Sequence, residues 1–125
     1  MVLKEILILG VAGGLGTICR FLLSGLTHRM VGDHIPWGTL AVNVLGCFLL
    51  AFLLEMGLAT ASREIRIAVA VGFLGGFTTF STFGFETMKL MREGAVALAA
   101  LNMAANLILG FTAVWLGFVT AKKFV

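Results

Sequence analysis

Charge is what this sequence has least of: 12% of its 125 residues are charged and 60% are hydrophobic, with a mean hydropathy of +1.09. Soluble domains carry roughly a quarter charged residues and about half apolar ones. A chain this short leaves much of its surface facing outward. So apolar an exterior excludes a water-soluble domain and requires lipid around it. Proline is nearly missing, one residue against sixteen glycines. That balance suits close helix packing in a bilayer, where small residues let backbones approach. The only cysteines, Cys19 and Cys47, fall inside apolar runs and read as buried thiols rather than a disulfide or metal pair. The basic excess is small, +3 and scattered, with Lys and Arg mainly at the ends of apolar runs, where they snorkel to head groups. Nothing in that pattern supports nucleic-acid binding.

A membrane span needs about 20 mostly apolar residues. Four stretches qualify, approximately 6–27, 36–58, 65–91 and 95–120. The first outruns the roughly 15-residue core of a signal peptide, and three more follow it, so it is expected to remain in the mature protein. His28, Arg29, Gly32, Asp33 and His34 separate the first two spans, and both histidines read as solvated loop residues. Pro36 and Trp37 open the second span, with Trp37 at interfacial depth. Ala61–Arg66 is a short charged connection, and Lys122 and Lys123 close the fourth span. The expected fold is an all-α membrane protein, a single four-helix transmembrane domain over residues 1–125.

Orientation is weakly encoded. Four spans put Lys4, Arg63, Arg66, Lys122 and Lys123 on one side, against Arg29, Lys89, Arg92 and, if it reaches that surface, Arg20. Positive charge on loops sets topology, and this contrast is slight. The expectation that follows is insertion in both orientations and pairing as an antiparallel two-fold dimer, its axis in the membrane plane.

The third span departs most from a plain apolar pattern. Gly72, Gly75 and Gly76 precede Thr78, Thr79, Ser81 and Thr82, which are interleaved with Phe77, Phe80 and Phe83. Glycines weaken a helix and β-branched threonines support it little. Irregular backbone at membrane depth survives only when protein buries it or when it lines a cavity. This reading predicts a third helix broken mid-span, the kind of place where transporters and channels coordinate ions. The alternative is a small-xxx-small packing face at Gly72 and Gly76, with hydroxyls bonded back to their own helix.

Polar residues recur on the neighbouring spans. Thr39, Asn43 and Gly46 share one stripe of the second, and Asn102 and Asn106 are an i, i+4 pair on the fourth. An asparagine amide in hydrocarbon is costly unless hydrogen-bonded, so these are either interhelical glue or the lining of a polar path. No Asp or Glu lies at the centre of a span, since Glu5, Glu55 and Glu86 are near span ends. A proton-coupled cation exporter wants such a carboxylate. Amide and hydroxyl hydrogens donate to anions, and phenyl edges carry the positive part of the ring quadrupole. A small anion therefore fits the path better than a cation. Arg20, late in the first span, is either a snorkelling residue or a positive lure at a vestibule mouth.

Together, Gly13-Gly14-x-Gly16-x-x-x-Arg20, Val42-Asn43-x-x-Gly46 and Gly72-Phe73-x-Gly75-Gly76-Phe77-Thr78-Thr79-Phe80-Ser81-Thr82-Phe83 resemble the Fluc family of small fluoride channels. The resemblance runs from the first span to the fourth. It implies a dual-topology antiparallel homodimer with two fluoride pores and a structural sodium ion at the dimer centre. By matched position, the backbone carbonyls of Gly75 and Thr78 would hold the sodium. Asn43, Phe80 and Phe83 would line the pore, with Ser81 and Thr82 close to it and Arg20 at the vestibule. Asn102 and Asn106 would occupy the fourth helix's polar track, whose next position here is Gly110, a departure from the family's hydroxyl-type residues.

On this reading the protein is a fluoride-selective channel, not an enzyme. It sits as a multi-pass protein in the inner (plasma) membrane and exports fluoride passively to relieve its toxicity. The competing readings are a small multidrug-type proton-coupled cation exporter, which wants a central glutamate that the first span lacks, and a non-transporting assembly subunit.

Overall fold

The computed structural model describes residues 1–32 and 34–125; Asp33, expected in the first polar connection, lies outside the described residues. Among the described residues, four helical stretches are long and apolar enough to cross a membrane: Val2–Val31, Trp37–Glu55, Arg63–Arg92 and Val96–Ala121. The first is helix α1, the second α2 and the last α6. The third is built from pieces: α3 (Arg63–Arg66), a π-helical stretch Ile67–Leu74, α4 (Gly75–Phe77) and α5 (Phe80–Arg92).

The ends of these helices depart from the expected spans. His28 was expected in a solvated loop but lies in the last turn of α1 with Arg29, whose positive charge suits the negative end of the helix dipole. Gly32 stops the helix at φ 89°, its N–H returning to the His28 carbonyl at 3.0 Å. A positive φ of this kind is cheap only for glycine. The second helix halts at Glu55, before the expected Leu58, and passes through Gly57 at φ 114° into a 3₁₀ turn, Leu58–Thr60. Ser62 caps α3, its hydroxyl accepting from the Ile65 N–H at 3.4 Å.

Helix α2 packs along α6, and α1 packs along the π-helical stretch and α4. The α1 approach is close because glycines face it. A Cβ on Gly16 would run into the Phe73 carbonyl, and one on Gly76 into Gly13. Gly72 sits against Ala12 in the same seam. The Gly72 and Gly76 packing face that the sequence left as an alternative is therefore present. Ion pairs from Lys4 to Glu64 (3.4 Å) and from Arg63 to Glu5 (2.9 Å) fasten the ends of this helix pair. Gly16 is the one buried residue of α1, so α1 lies at the outside of the bundle. Cys19 and Cys47 are free thiols, half-buried where buried thiols were expected.

Candidate functional site

Two residues interrupt the helical run of the third span. Thr78 (φ −91°, ψ 160°) and Thr79 (φ −153°, ψ 113°) are extended. Backbone groups that lose helical partners must find others, and most of these do. The Thr79 N–H goes to Asn43 Oδ1 at 2.8 Å instead of the Gly75 carbonyl. The Thr82 N–H goes to Thr79 Oγ1 at 3.2 Å instead of the Thr78 carbonyl. Thr79 thus serves as the N-cap of α5, a role that short hydroxyl side chains fill well. The carbonyls freed along this stretch collect side-chain donors. Gly76 takes the Thr17 hydroxyl (3.5 Å), Thr78 takes Arg20 Nη1 (3.4 Å), and Thr79 takes Asn43 Nδ2 (3.1 Å). Thr78 Oγ1 bonds back to the Leu74 carbonyl at 3.0 Å. Hydroxyls bonded to their own helix and extended backbone, two alternatives in the sequence, coexist here.

Beside the extended pair lies a cavity of about 330 Å³ whose lining includes Asn43, Thr78, Thr79, Phe80, Phe83 and Asn106. Gly75 and Gly46 also border it. The Phe80 and Phe83 rings meet edge-on, 5.5 Å between centroids and 66° between planes. Phe83 is 8% exposed and Phe80 is 80% exposed, so one ring is packed into the chain while the other stands on its surface. Gly46 makes room for the extended pair, since a Cβ there would collide with the Thr78 methyl group.

The predicted residues are thus partly gathered. Asn43, Asn106, Phe80, Phe83, Gly75 and Thr78 meet at the cavity. Both donor positions of Asn43 are occupied, one on the Thr79 carbonyl and one on Asn106 Oδ1 at 3.1 Å, so Asn43 acts first as a clamp on the backbone. Ser81 and Thr82 are outside the cavity lining, exposed and bonded to Thr79 Oγ1 at 3.4 and 2.9 Å. Thr82 accepts there and keeps its own hydroxyl hydrogen. Asn102 is 0% exposed, away from the cavity lining, and donates to Thr87 Oγ1 at 2.9 Å. Arg20 reaches the back of the extended segment through the Thr78 carbonyl. Gly110 is buried, 3.7 Å from Cys47 Sγ were it to carry a Cβ.

Sequence reasoning passed over Thr87 and read Glu86 only as a carboxylate near a span end. Glu86 Oε1 accepts from the Thr39 hydroxyl at 3.0 Å, and Oε2 is buried with no partner among the described residues. A carboxylate close to Lys89 near a span end carries no signal that distinguishes it from a solvated one. Among the described residues, no group of His, Cys, Asp and Glu could hold a metal ion. The carbonyls freed from helical bonding are the groups left for one. Gly75 is exposed and has lost its i+4 donor, and Thr78 has done the same, with Arg20 on one of its two lone pairs.

Comparison with known proteins shows the family of the chain. Residues 7–118 match the family described as CrcB-like protein, Camphor Resistance (CrcB). The chain is 44% identical over 123 residues to the fluoride-specific ion channel FluC of Geobacter sulfurreducens, covering 97% of this chain and 99% of that protein. It is 38% identical over 122 residues to FluC of Geobacter sp. (strain M21), covering 96% and 98%. With FluC of Dehalococcoides mccartyi (strain BAV1) it shares 43% identity over 115 residues, covering 90% and 88%. A match of this extent settles membership: the chain belongs to the CrcB family.

Proposed function

We propose that this protein is a fluoride channel of the plasma membrane, and that ions pass the cavity where Phe80 and Phe83 meet Asn43 and Asn106. The observation that carries the reading is that cavity, set against extended backbone within an apolar span. It belongs to a chain 44% identical to a protein named as a fluoride-specific channel. Fluoride is small and strongly hydrated, so a selective path must replace its water with converging donors. The chain offers the Thr82 hydroxyl hydrogen and the edges of two phenyl rings. Asn43 holds the backbone that carries them. Membrane potential drives an anion outward by about 2.3 kcal/mol per 100 mV, and flow through such a path needs no coupled reaction.

The extended pair is read as a break in the third membrane-spanning helix at depth in the bilayer, and the working unit as an antiparallel homodimer. Ser81 and Thr82 are exposed on the single chain beside a ring that is 80% exposed. Polar groups and irregular backbone facing hydrocarbon are costly, so a second copy covering this surface relieves the cost. The near-balanced loop charges allow the opposite insertion that such a pair requires. A sodium ion at the dimer centre would be held by the Gly75 carbonyl, which has lost its helical donor, and by the lone pair of the Thr78 carbonyl that Arg20 does not take. The ion would supply positive charge that fastens two copies together.

Liposomes containing the purified protein and loaded with fluoride test the reading. They should discharge fluoride rapidly once a potassium ionophore clamps the voltage, and retain chloride. No fluoride efflux, or chloride efflux of similar size, overturns it. Cysteine-accessibility labelling of the two termini tests the dimer: both sides of the membrane should be labelled, and one uniform orientation rules out the antiparallel pair.

A further inference from the structure

Five hydrogen bonds join three helices into one path. The Thr79 N–H donates to Asn43 Oδ1 at 2.8 Å, and Asn43 Nδ2 to Asn106 Oδ1 at 3.1 Å. Asn106 Nδ2 donates to Asn102 Oδ1 at 3.2 Å, and Asn102 Nδ2 to Thr87 Oγ1 at 2.9 Å. The Thr87 hydroxyl then donates to the Phe83 carbonyl at 2.8 Å. The ends of the path have no choice of role, because an N–H only donates and a carbonyl only accepts. Every link between them is therefore fixed in direction. Thr87 commits its one hydrogen to Phe83, so it meets Asn102 as an acceptor, and Asn102 must present its NH₂. The Asn102 oxygen then faces the NH₂ of Asn106, whose oxygen faces the NH₂ of Asn43. That leaves the Asn43 oxygen for Thr79.

Both ends lie on the same short stretch, Thr79–Phe83, which carries both phenylalanines and both exposed hydroxyls of the site. The path leaves this stretch for α2, crosses to α6 and returns through α5. Its ends and far side are buried, with Asn102 0% exposed, Thr87 5% and Thr79 8%, while Asn43 and Asn106 are half-buried and border the cavity. Hydrogen bonds in series polarise one another in such surroundings, and a broken link leaves a buried polar group unpaired.

We propose that Asn102 and Thr87, neither of which touches the cavity, are positioning residues: they close a one-way hydrogen-bond ring that fixes the Thr79–Phe83 stretch. The ring holds the Phe83 edge and the Thr82 hydroxyl in the arrangement that passes the ion. This assignment moves Asn102 from the ion path, where the sequence put it, to the frame behind the path. It rests on fluoride conduction as proposed above.

The test uses the reconstituted full-length chain carrying Thr87→Val, Thr87→Ser or Asn102→Leu, with Thr87→Ala in reserve should the valine variant not reconstitute. Two quantities are read: fluoride efflux per reconstituted protein, and backbone deuterium exchange over residues 75–83. Thr87→Val and Asn102→Leu should each slow efflux and speed exchange at Thr79 by about tenfold, and Thr87→Ser should stay within about twofold of wild type in both. The Asn102→Leu, Thr87→Val double variant should be no worse than the poorer single one, because one opened ring cannot open again. Exchange at Thr79 unchanged in Thr87→Val overturns the ring, since simple glue between α5 and α6 would not be felt at the opposite end. A multiplicative loss in the double variant overturns it too. Wild-type liposomes that pass no fluoride overturn the channel reading instead, and the exchange comparison then decides the ring by itself.

Discussion

Asn43 holds Thr79 by both of its backbone groups, accepting the N–H at 2.8 Å and donating to the carbonyl at 3.1 Å. A primary amide is the smallest side chain that pairs with a peptide group in both directions. Extended backbone inside an apolar span is otherwise left with unpaired polar groups, each costing about 1–3 kcal/mol. The side chain thus supplies what a neighbouring strand would supply in a sheet.

Asn43→Asp is the informative substitution here. The carboxylate still accepts from Thr79 but faces the Thr79 carbonyl and Asn106 Oδ1 with no hydrogen to give. Fluoride efflux should fall by about 10–100-fold, with a lower melting temperature in detergent. An unchanged efflux would show that the clamp is dispensable for conduction.

Thr79 carries a second duty as N-cap of α5, through its hydroxyl and the Thr82 N–H. Thr79→Ser keeps the oxygen and should behave as wild type. Thr79→Val keeps the shape, loses the cap and should cost about 1–2 kcal/mol of stability. Thermal melts of the two variants side by side provide the comparison, and equal melting temperatures would remove the cap from the account.

Two glycines near the cavity should respond oppositely to a methyl group. Gly46 has the Thr78 side chain where its Cβ would stand, whereas at Gly110 the nearest atom is Cys47 Sγ at 3.7 Å, ordinary contact. Gly46→Ala should destabilise by about 1–3 kcal/mol and disturb efflux. Gly110→Ala should stay within about 0.5 kcal/mol of wild type. Paired melting and efflux measurements check both.

Much of this was legible in the chain because the bilayer is an unforgiving solvent. Four runs of sufficient length can do little but span, and Asn43, Asn106, Phe80 and Phe83 stood out because polar and aromatic groups clustered in such runs need a reason. Helix ends were harder to read, since His28 and Arg29 look like loop residues yet close α1 before Gly32 turns the backbone. Thr87 was overlooked because a threonine between Glu86 and Met88 near a span end has nothing unusual about it; its burial arises only when α6 brings Asn102 against it. Asn102 was ambiguous for the converse reason. Its polarity announces a partner, but periodicity cannot say whether that partner is an ion or a hydroxyl.

The three phenylalanines Phe73, Phe80 and Phe83 separate packing from conduction. Phe73 stacks on Phe77, 6.1 Å between centroids and 7° between planes, away from the cavity lining. Phe83 is buried and lines the cavity, so Phe83→Ile should lower stability by about 1–3 kcal/mol and slow efflux. Phe80 lines the same cavity but is 80% exposed on the single chain. Replacing it removes little packing within the chain and takes away a ring that lines the cavity. Phe80→Ile should therefore leave the fold of the chain nearly intact while slowing fluoride efflux by about tenfold or more. Phe73→Ile should do the reverse, weakening the helix pair with little effect on flux. Efflux rates from liposomes, normalised to folded protein, resolve the three cases. Equal losses at all three positions would mean that the rings only fill space, and the aromatic edge would drop out of the mechanism.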